Sequence, residues 1–356
     1  DVNVQQLRRF LVNGYKCLGK SGQTYFQGID LFPAGHCALL ARPERPATAP
    51  YWALPTAIHE TTFEDAVAET RRLLTRAVET RMRADVPLAF CLSGGVDSAT
   101  LAAIAAKQMG RDIHCFSIID SDERYDESAN IDTMVRHLGC QHHQVHTSTE
   151  GFFERLRAQV KMHDAPVVTI SYYMHAFLSE AIADAGYKIA LSGTAADEIF
   201  TGYYDHYSMW LAGMHSQPGV DFDALVDEWK SGMGAHVQNP GLQDPLAFVR
   251  DPNQRDHIML DRELFSSFMN EPFEEAWTED HYTEELLRNR MANELFTEAV
   301  PVILNEDDLN SMAVSIENRS PFLDRALVEY LYSVPARHLM GGGYAKRILR
   351  EAGPVD

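Results

Sequence analysis

Apolar residues follow a helical period and then a strand-like pattern in the stretch that begins at Thr62. In the helical part they lie about four positions apart, at Phe63, Val67, Leu74, Val78 and Met82. A continuous apolar run of strand length follows at 86–92, and small residues predict a helix over 99–107. Further strands are expected at 113–119, near Gln144 and at 188–191, with helices between them over 127–138 and in two segments up to about 185. This alternation predicts an α/β fold with a doubly wound parallel sheet.

The segments on either side of this alternation have different patterns. Residues 1–55 predict strands and turns, too few for a complete domain, and the proline-bearing charged segment 42–46 is typical of a linker. Residues 205–282 are rich in Met, Trp, Asp and Gln, show no clear strand pattern and predict an insertion of helices and long loops. After Glu284 the pattern is helical again. We therefore expect a partial β-rich segment over 1–55, a main domain over 56–356, and extra C-terminal helices.

Composition and charge narrow the functional classes. The 356 residues are 45% hydrophobic and 23% charged, which is typical of globular proteins. A net charge of −20 argues against a nucleic-acid surface, because neutralising phosphates requires clustered Lys and Arg. No apolar run approaches the roughly 20 residues of a membrane span, and no signal pattern is visible, so we expect a cytoplasmic protein that binds neither membrane nor nucleic acid. A homodimer is left open.

The cysteines predict neither a disulfide framework nor a metal site. Their number is odd, without paired metal-type spacing, at Cys17, Cys37, Cys91, Cys115 and Cys140. We expect reduced, buried thiols. We do not expect a zinc site in the His-rich run at 140–146, because successive side chains of a strand point to opposite faces and cannot all reach one ion.

The run Ser93-Gly94-Gly95-Val96-Asp97-Ser98 has the composition of a phosphate-binding loop between a strand and a helix. Its glycines let backbone N–H groups approach phosphate oxygens, and its serines add hydroxyl donors. An acid at Asp97 repels phosphate unless a divalent cation lies between them, which predicts magnesium. The Gly-Lys-Ser/Thr of a Walker loop and the three-glycine spacing of a dinucleotide loop are both missing.

A second acidic turn follows the strand at 188–191. Ser192-Gly193-Thr194-Ala195-Ala196-Asp197 again has small residues and then an acid at a helix start. An acid there is also an ordinary first-turn residue favoured by the helix dipole. Two such turns at two strand ends of one sheet favour a shared magnesium site made by Asp97 and Asp197.

In these motifs the sequence resembles the synthetase domain of glutamine-dependent asparagine synthetases, in the pyrophosphatase-loop family. The resemblance runs from about Thr62 to Glu351 and includes the motifs 93–98, 116–118, 125–128, 192–203, 308–324 and 344–350. It implies a two-step reaction: ATP and a carboxylate give an acyl-adenylate, and ammonia then displaces AMP. ATP and Mg²⁺ are the implied cofactors, and a small carboxylate with ammonia or glutamine are the implied substrates.

The resemblance also assigns roles to individual residues. Asp97 and Asp197 bind magnesium, the loop Ser93, Gly94, Gly95 and Ser98 holds the pyrophosphate with Ser192 nearby, and backbone at Leu92, Ile118 and Gly193 meets the adenosine. Lys346 stabilises the charge that develops as pyrophosphate leaves; a carboxylate attacking a phosphate brings anion to anion, so a fixed ammonium suits that step. Glu317 and Arg319 are expected to form a buried pair that shapes the site, with Glu317 in a catalytic or a structural role.

Two positions depart from the family pattern. The second signature usually carries Glu and Gly where this chain has Thr194 and Ala195. Branches that make cyclic products also change the first of these positions. We therefore expect Thr194 to be a catalytic residue that takes part in substrate choice, and an acceptor such as a sugar acid or a biosynthetic intermediate competes with aspartate.

Residues 1–55 resemble the end of the family's glutaminase domain, without its nucleophilic N-terminal cysteine. We expect a fragment of a longer protein in which glutamine supplies the ammonia. A non-catalytic nucleotide-binding subunit is the alternative from another class, and the intact Asp97, Asp197 and Lys346 argue against it.

Overall fold

The computed structural model describes residues 1–40, 48–120, 122, 126–215 and 217–354. The predicted linker at 42–46 and Tyr125 lie outside the described residues. The strands are β1 (His36–Ala38), β2 (Thr48–Pro50), β3 (Leu88–Cys91), β4 (His114–Ile119), β5 (Gln141–His146), β6 (Ile189–Leu191) and β7 (Glu317–Arg319).

The helices surround the sheet and extend the chain at both ends. They are α1 (Val4–Asn13), α2 (Phe63–Arg81), α3 (Val96–Ala103), α4 (Ser128–Leu138), α5 (Phe152–His163), α6 (Ile170–Asp184), α7 (Ala196–Phe200), α8 (Tyr204–His215), α9 (Phe222–Ser231), α10 (Ala247–Arg250), α11 (Arg262–Ser267), α12 (Leu286–Asn293), α13 (Val300–Met312), α14 (Arg325–Ser333) and α15 (Arg347–Ala352). One π-helical turn continues α3 at Ile104–Gln108, and another continues α12 at Glu294–Glu298.

In the described part of the chain, β3 to β7 form a parallel sheet with the order β5-β4-β3-β6-β7. The chain moves outward from β3 to β5 and then returns to the other side of β3 with β6. The two directions of winding meet between β3 and β6, and ligands bind open α/β sheets at the carboxyl ends of strands at such a switch point. The predicted α/β fold with a doubly wound parallel sheet is confirmed.

Alternation along the central strands divides the core in two. Phe90, Cys115 and Leu191 face a large core with α2, α3, α8, α14 and α15. Their neighbours Ala89, Phe116 and Ala190 face a smaller core with Ile182 of α6. Because side chains of successive strand residues point to opposite faces, a sheet covered on both sides is apolar throughout, as the runs in the sequence predict.

Helix α2 begins one residue after Thr62, whose hydroxyl accepts the backbone N–H of Asp65 at 3.1 Å. This is an N-cap, which satisfies a helix donor that has no partner within the helix. The buried face is Ala66, Thr70, Leu73, Leu74, Ala77 and Val78. It includes Leu74 and Val78 of the predicted face, but Phe63, Val67 and Met82 lie at its margin.

The first residues are not all strands and turns. Val4–Asn13 form a helix whose buried face includes Gln6 and Arg9. Gln6 Nε2 donates to the carbonyls of Leu18 at 3.2 Å and Gln23 at 3.1 Å, and Arg9 binds Glu275 at 2.6 Å. The prediction of strands was wrong there: Val4, Leu7 and Leu11 recur at helical spacing, a signal that the sequence interpretation did not use. The two short strands β1 and β2 follow.

Part of the segment 205–282 packs into the large core. Met209, Trp210 and Leu211 of α8 and Trp229 of α9 are buried there. The boundary near residue 55 and an insertion over 205–282 stay predictions.

Arg290 of α12 is completely buried among four carboxylates. Its guanidinium lies 2.8 Å from Glu279, 2.9 Å from Glu294, 2.6 Å from Glu298 and 3.5 Å from Asp205. His206 is 2.7 Å from Glu294. We call these six residues the Arg290 cluster, and it joins α8 to α12 and its π-helical continuation.

All five cysteines are free thiols. Cys17 and Cys115 are buried as expected, Cys91 and Cys140 are half-buried, and the expectation of a buried thiol was wrong for Cys37, which is exposed. Within the described ranges, no helix combines the length and apolar character needed to cross a lipid bilayer.

Candidate functional site

The loop after β3 is held by its own two serines. Ser98 Oγ accepts the backbone N–H of Ser93 at 2.9 Å and lies 3.0 Å from Ser93 Oγ, which itself accepts the N–H of Gly95 at 3.2 Å. These bonds curl the loop so that α3 begins at Val96. The N–H of Gly94 donates to a carboxylate, Glu127 Oε2, at 3.1 Å. A loop amide that binds a carboxylate oxygen has the geometry to donate to a phosphate oxygen.

The turn after β6 lies directly against this loop. A Cβ added to Gly193 would lie 3.2 Å from Asp97 Cβ and 3.3 Å from the backbone nitrogen of Ser98. Glycine therefore allows the two strand-end turns to approach each other. Ala195, where the resembled pattern has glycine, lies in the left-handed region with φ 74°. That conformation is the physical reason for glycine at this position, because it disfavours L side chains.

Lys346 lies between the two predicted magnesium ligands. Its Nζ is 2.6 Å from Asp97 Oδ2 and 2.7 Å from Asp197 Oδ1, and its side chain is 9% exposed. The residue has φ 58° and precedes α15. Gly202 is packed beneath the contact, since a Cβ there would overlap both Asp197 Oδ1 and Lys346 Cε. Three residues that are far apart in the sequence thus converge at one point.

Burial and charge act against each other at this contact. Burial raises the pKa of Asp97, the nearby Asp197 carboxylate raises it further, and Lys346 only partly offsets them. Burial acts to lower the pKa of Lys346, but Asp97 and Asp197 more than compensate and raise it above its ordinary value. At neutral pH the lysine is therefore a firmly charged partner of the two acids.

The carboxylates also fit a divalent cation. Asp97 Oδ1 is buried and makes no hydrogen bond to any described residue. A buried carboxylate oxygen without a donor is unfavourable, and carboxylate oxygens are ligands that Mg²⁺ prefers. Asp97 and Asp197 therefore have the chemistry to hold Mg²⁺.

A cavity of about 580 Å³ opens over these turns. Eight of the predicted site residues line it: Leu92, Ser93, Asp97, Ser98, Ile118, Ser192, Gly193 and Thr194. Gly94 and Gly95 lie in the same loop. Lys346 contacts the cavity residue Asp97 and also Asp197, so these two residues lie next to the cavity. A larger cavity of about 1160 Å³ lies near α11 and is lined by none of the predicted site residues. The predicted site residues therefore gather around the smaller cavity, which is the candidate active site.

Glu317 is not brought to the cavity. It begins β7, so it lies at the opposite end of the strand from the site, and its side chain is 61% exposed. Its carboxylate accepts from Arg319 Nε at 2.8 Å, and Arg319 also donates to the carbonyls of Arg81 and Arg83. The expected buried pair was wrong. β7 lies at the edge of the sheet, where a strand is covered on fewer sides than at the centre. The spacing of residues within the motif does not reveal that position.

The sequence interpretation missed two cavity residues next to Thr194. Asp307 of α13 accepts from Thr194 Oγ1 at 3.2 Å and lies 3.1 Å from His175 Nδ1. His175 lies on α6, 132 positions from Asp307. Asp307 directly precedes the motif at 308–324, which was a usable signal, but no local pattern singles out His175.

The fold and site together are those of a parallel α/β domain with a glycine loop and an acidic turn at its switch point, backed by a buried lysine. The chain belongs to the asparagine synthase family, because residues 69–353 match the family described as Asparagine synthase.

Curated relatives agree with the family. The chain is 28% identical to Amidase chyE of Penicillium rubens, over 88% of this chain and 53% of that protein. It is 26% identical to glutamine-hydrolyzing asparagine synthetase 3 of Bacillus subtilis, over 85% of this chain and 48% of that protein. It is 25% identical to Amidase chry2 of Gibberella zeae, over 92% of this chain and 56% of that protein. The chain spans about half the length of these relatives.

Proposed function

We propose that this chain is the synthetase part of an ATP-dependent amide ligase, which adenylates a carboxylate and transfers an amine nitrogen to it. The observation that carries the proposal is the convergence of Asp97, Asp197 and Lys346 beside the Ser93–Ser98 loop in one cavity. An anionic ligand at the loop meets backbone donors, two acids suited to a cation, and a buried ammonium. The relatives named as amidases and asparagine synthetases support the same reaction class.

In the first half-reaction, the carboxylate attacks the α-phosphorus of ATP and pyrophosphate leaves. In this proposal the amides and hydroxyls of the loop hold the departing phosphates, and Lys346, held at Asp97 beside the loop, stabilises the negative charge that increases in the transition state. Asp97 and Asp197 would hold Mg²⁺, which neutralises phosphate charge when bound. We propose that backbone at Leu92, Ile118 and Gly193, which all line the cavity, meets the adenosine.

In the second half-reaction, an amine attacks the acyl carbon and AMP leaves. Ammonia derived from glutamine is the proposed amine in the full-length protein. Thr194 lacks the basicity of a carboxylate, so it orients a group or makes room for one. We therefore propose an acceptor other than aspartate, such as a sugar acid or a biosynthetic intermediate.

An ATP–pyrophosphate exchange screen with aspartate, other amino acids and uronic acids tests the first half-reaction. We expect exchange with at least one carboxylate. Asp97→Asn and Asp197→Asn should lower it by roughly a hundredfold or more. Asp112→Asn, the same change at an exposed residue outside the cavity, should leave it unchanged. No exchange with any carboxylate would favour a non-catalytic nucleotide-binding subunit.

A double substitution tests the acceptor. Thr194→Glu with Ala195→Gly restores the family pattern, and glycine suits the left-handed backbone at position 195. We expect more asparagine from aspartate, ATP and ammonium than the wild type gives, measured by mass spectrometry. Efficient asparagine formation by the wild type would contradict the proposed acceptor and indicate an ordinary asparagine synthetase.

A further inference from the structure

A carboxylate does reach the position of Thr194, but from a different element. Thr194 Oγ1 donates to Asp307 Oδ2 at 3.2 Å, and Ser192 Oγ lies 3.0 Å from Thr194 Oγ1. Because the threonine proton goes to the carboxylate, Ser192 is the donor to Thr194. This chain of hydroxyls fixes Asp307 at the edge of the cavity, and its side chain is only 10% exposed.

His175 completes the arrangement. Its Nδ1 lies 3.1 Å from Asp307 Oδ1, while its side chain is 44% exposed and lines the cavity. An ionised carboxylate only accepts hydrogen bonds, so Nδ1 carries a proton, and in the neutral imidazole Nε2 then presents its lone pair. Nε2 makes no hydrogen bond to any described residue. The result is an oriented base facing the site.

The other groups around this pair do not compete for the same role. Glu306 and His163 lie on the buried side, where His163 Nε2 is 3.2 Å from Asn310 Oδ1. Burial raises the pKa of Glu306 to about 7, so it is largely uncharged in slightly acidic solution. Burial also raises the pKa of Tyr172 far above neutrality. Of these groups, His175 combines a free lone pair with access to the cavity.

We infer that His175 is the proton acceptor for acyl transfer and that Asp307 is its positioning residue; the inference rests on the proposed function. As the amine nitrogen attacks the acyl carbon, an N–C bond forms and an N–H proton passes to His175 Nε2. The carbon–oxygen bond to AMP then breaks, and AMP leaves with the electron pair. The imidazolium later loses its proton to water. Asp307 stabilises the imidazolium and fixes its tautomer.

The experiment uses the carboxylate that gives the fastest exchange with the wild type and compares two nucleophiles. Ammonium must lose one proton before it attacks, and the adduct of ammonia with the acyl carbon is a weak acid that needs a base to take its second proton. Hydroxylamine is unprotonated at neutral pH, and because it is a much weaker base, its adduct loses the N–H proton to water without a protein base. We expect His175→Gln to retain pyrophosphate exchange and hydroxamate formation within a fewfold of the wild type. Amide formation from ammonium should fall by about a hundredfold or more. His137→Gln, at an exposed position on α4, is the matched control and should change none of these rates.

The two proposals fail in different ways. Absence of exchange in the wild type contradicts the proposed function itself. Exchange in the wild type with undiminished amide formation in His175→Gln overturns only the role of His175. Loss of exchange in both His175→Gln and His175→Asn also overturns it, because the histidine would then act before acyl transfer. Asp307→Asn should shift the pH–rate profile of amide formation, a readout that a packing role would not move.

Discussion

A single ammonium group separates two carboxylates at the centre of the site, and its removal has two distinct effects. Lys346→Met keeps most of the length of the side chain but removes the charge that we propose acts on the departing pyrophosphate. We expect the exchange rate to fall by roughly a hundredfold or more, because the charge acts mainly in the transition state. The dissociation constant of ATP should change far less. Rapid-quench kinetics and equilibrium binding separate the two, with exposed Lys107→Met as control.

Gly202 offers a residue-scale test that alters no charge. A methyl group there would overlap Asp197 Oδ1 and Lys346 Cε, so Gly202→Ala should displace both side chains. We expect exchange to fall by at least about tenfold, since small displacements of catalytic groups have large effects. Gly213→Ala makes the same change where a Cβ meets no described heavy atom within 4 Å. Equal activity in the two variants would mean that the contact is dispensable.

At the scale of the element, α7 is a short helix between two residues in the left-handed region. Ala195 precedes it with φ 74°, and Thr201 ends it with φ 65°. A β-branched residue is strained there, and glycine is usual after a helix. Thr201→Gly should relieve that strain, whereas the greater flexibility of Gly in the unfolded chain acts against it. We expect the free energy of unfolding to stay within about 0.5 kcal/mol of the wild type.

The matched control is Thr70→Gly in the middle of α2. Both threonines are 0% exposed. The control loses the same buried atoms and gains no relief, so we expect it to lower the free energy of unfolding by about 2 kcal/mol. Urea denaturation measures both. A similar loss in the two variants would contradict the role of backbone strain at Thr201.

The elements that carry strong patterns could be predicted, and those shaped by distant contacts could not. Strands β3, β4 and β6 were found because a sheet covered on both faces needs apolar side chains on both. Helix α1 was missed although Val4, Leu7 and Leu11 recur at helical spacing. The burial of Gln6 and Arg9 in place of apolar residues depends on distant hydrogen bonds and an ion pair, which no local pattern reveals. The turns bearing Asp97 and Asp197 could be predicted because each comes directly after a predicted strand. The contact of His175 with Asp307 joins α6 to α13 and has no local signature.

At the scale of the whole molecule, the Arg290 cluster is a buried charge balance that links distant segments. Arg290→Met leaves four buried carboxylates without their shared cation. We expect the free energy of unfolding at pH 7 to fall by about 3–5 kcal/mol. Chemical denaturation with circular dichroism measures the change. Arg72→Met, which removes an exposed ion pair with Glu69, should leave the curve unchanged.

The pH dependence of this variant has a definite sign. Burial acts to raise the pKa values of Asp205, Glu279 and Glu294, but their cationic partners hold all three below the ordinary range. In the wild type they therefore stabilise the fold above pH about 4 and lose that effect as the pH falls further. Without Arg290 their pKa values rise, and the folded state binds more protons than the unfolded state. The loss in free energy of unfolding caused by Arg290→Met should therefore become smaller as the pH falls from 7 to 5. A loss that stays constant over this range would contradict this account.

The position of Lys346 between Asp97 and Asp197 has a consequence for the order in which ligands arrive. The lysine acts as an internal counterion to both carboxylates, so a free divalent cation that enters must compete with its positive charge. A metal that arrives already complexed with nucleotide brings phosphate oxygens to which the ammonium transfers, and the exchange of partners is then nearly balanced. We expect isothermal titration calorimetry to show weak binding of Mg²⁺ alone to the wild type and tighter binding to Lys346→Met. On the proposed function, the lysine therefore favours the metal–nucleotide complex over the free metal at these carboxylates.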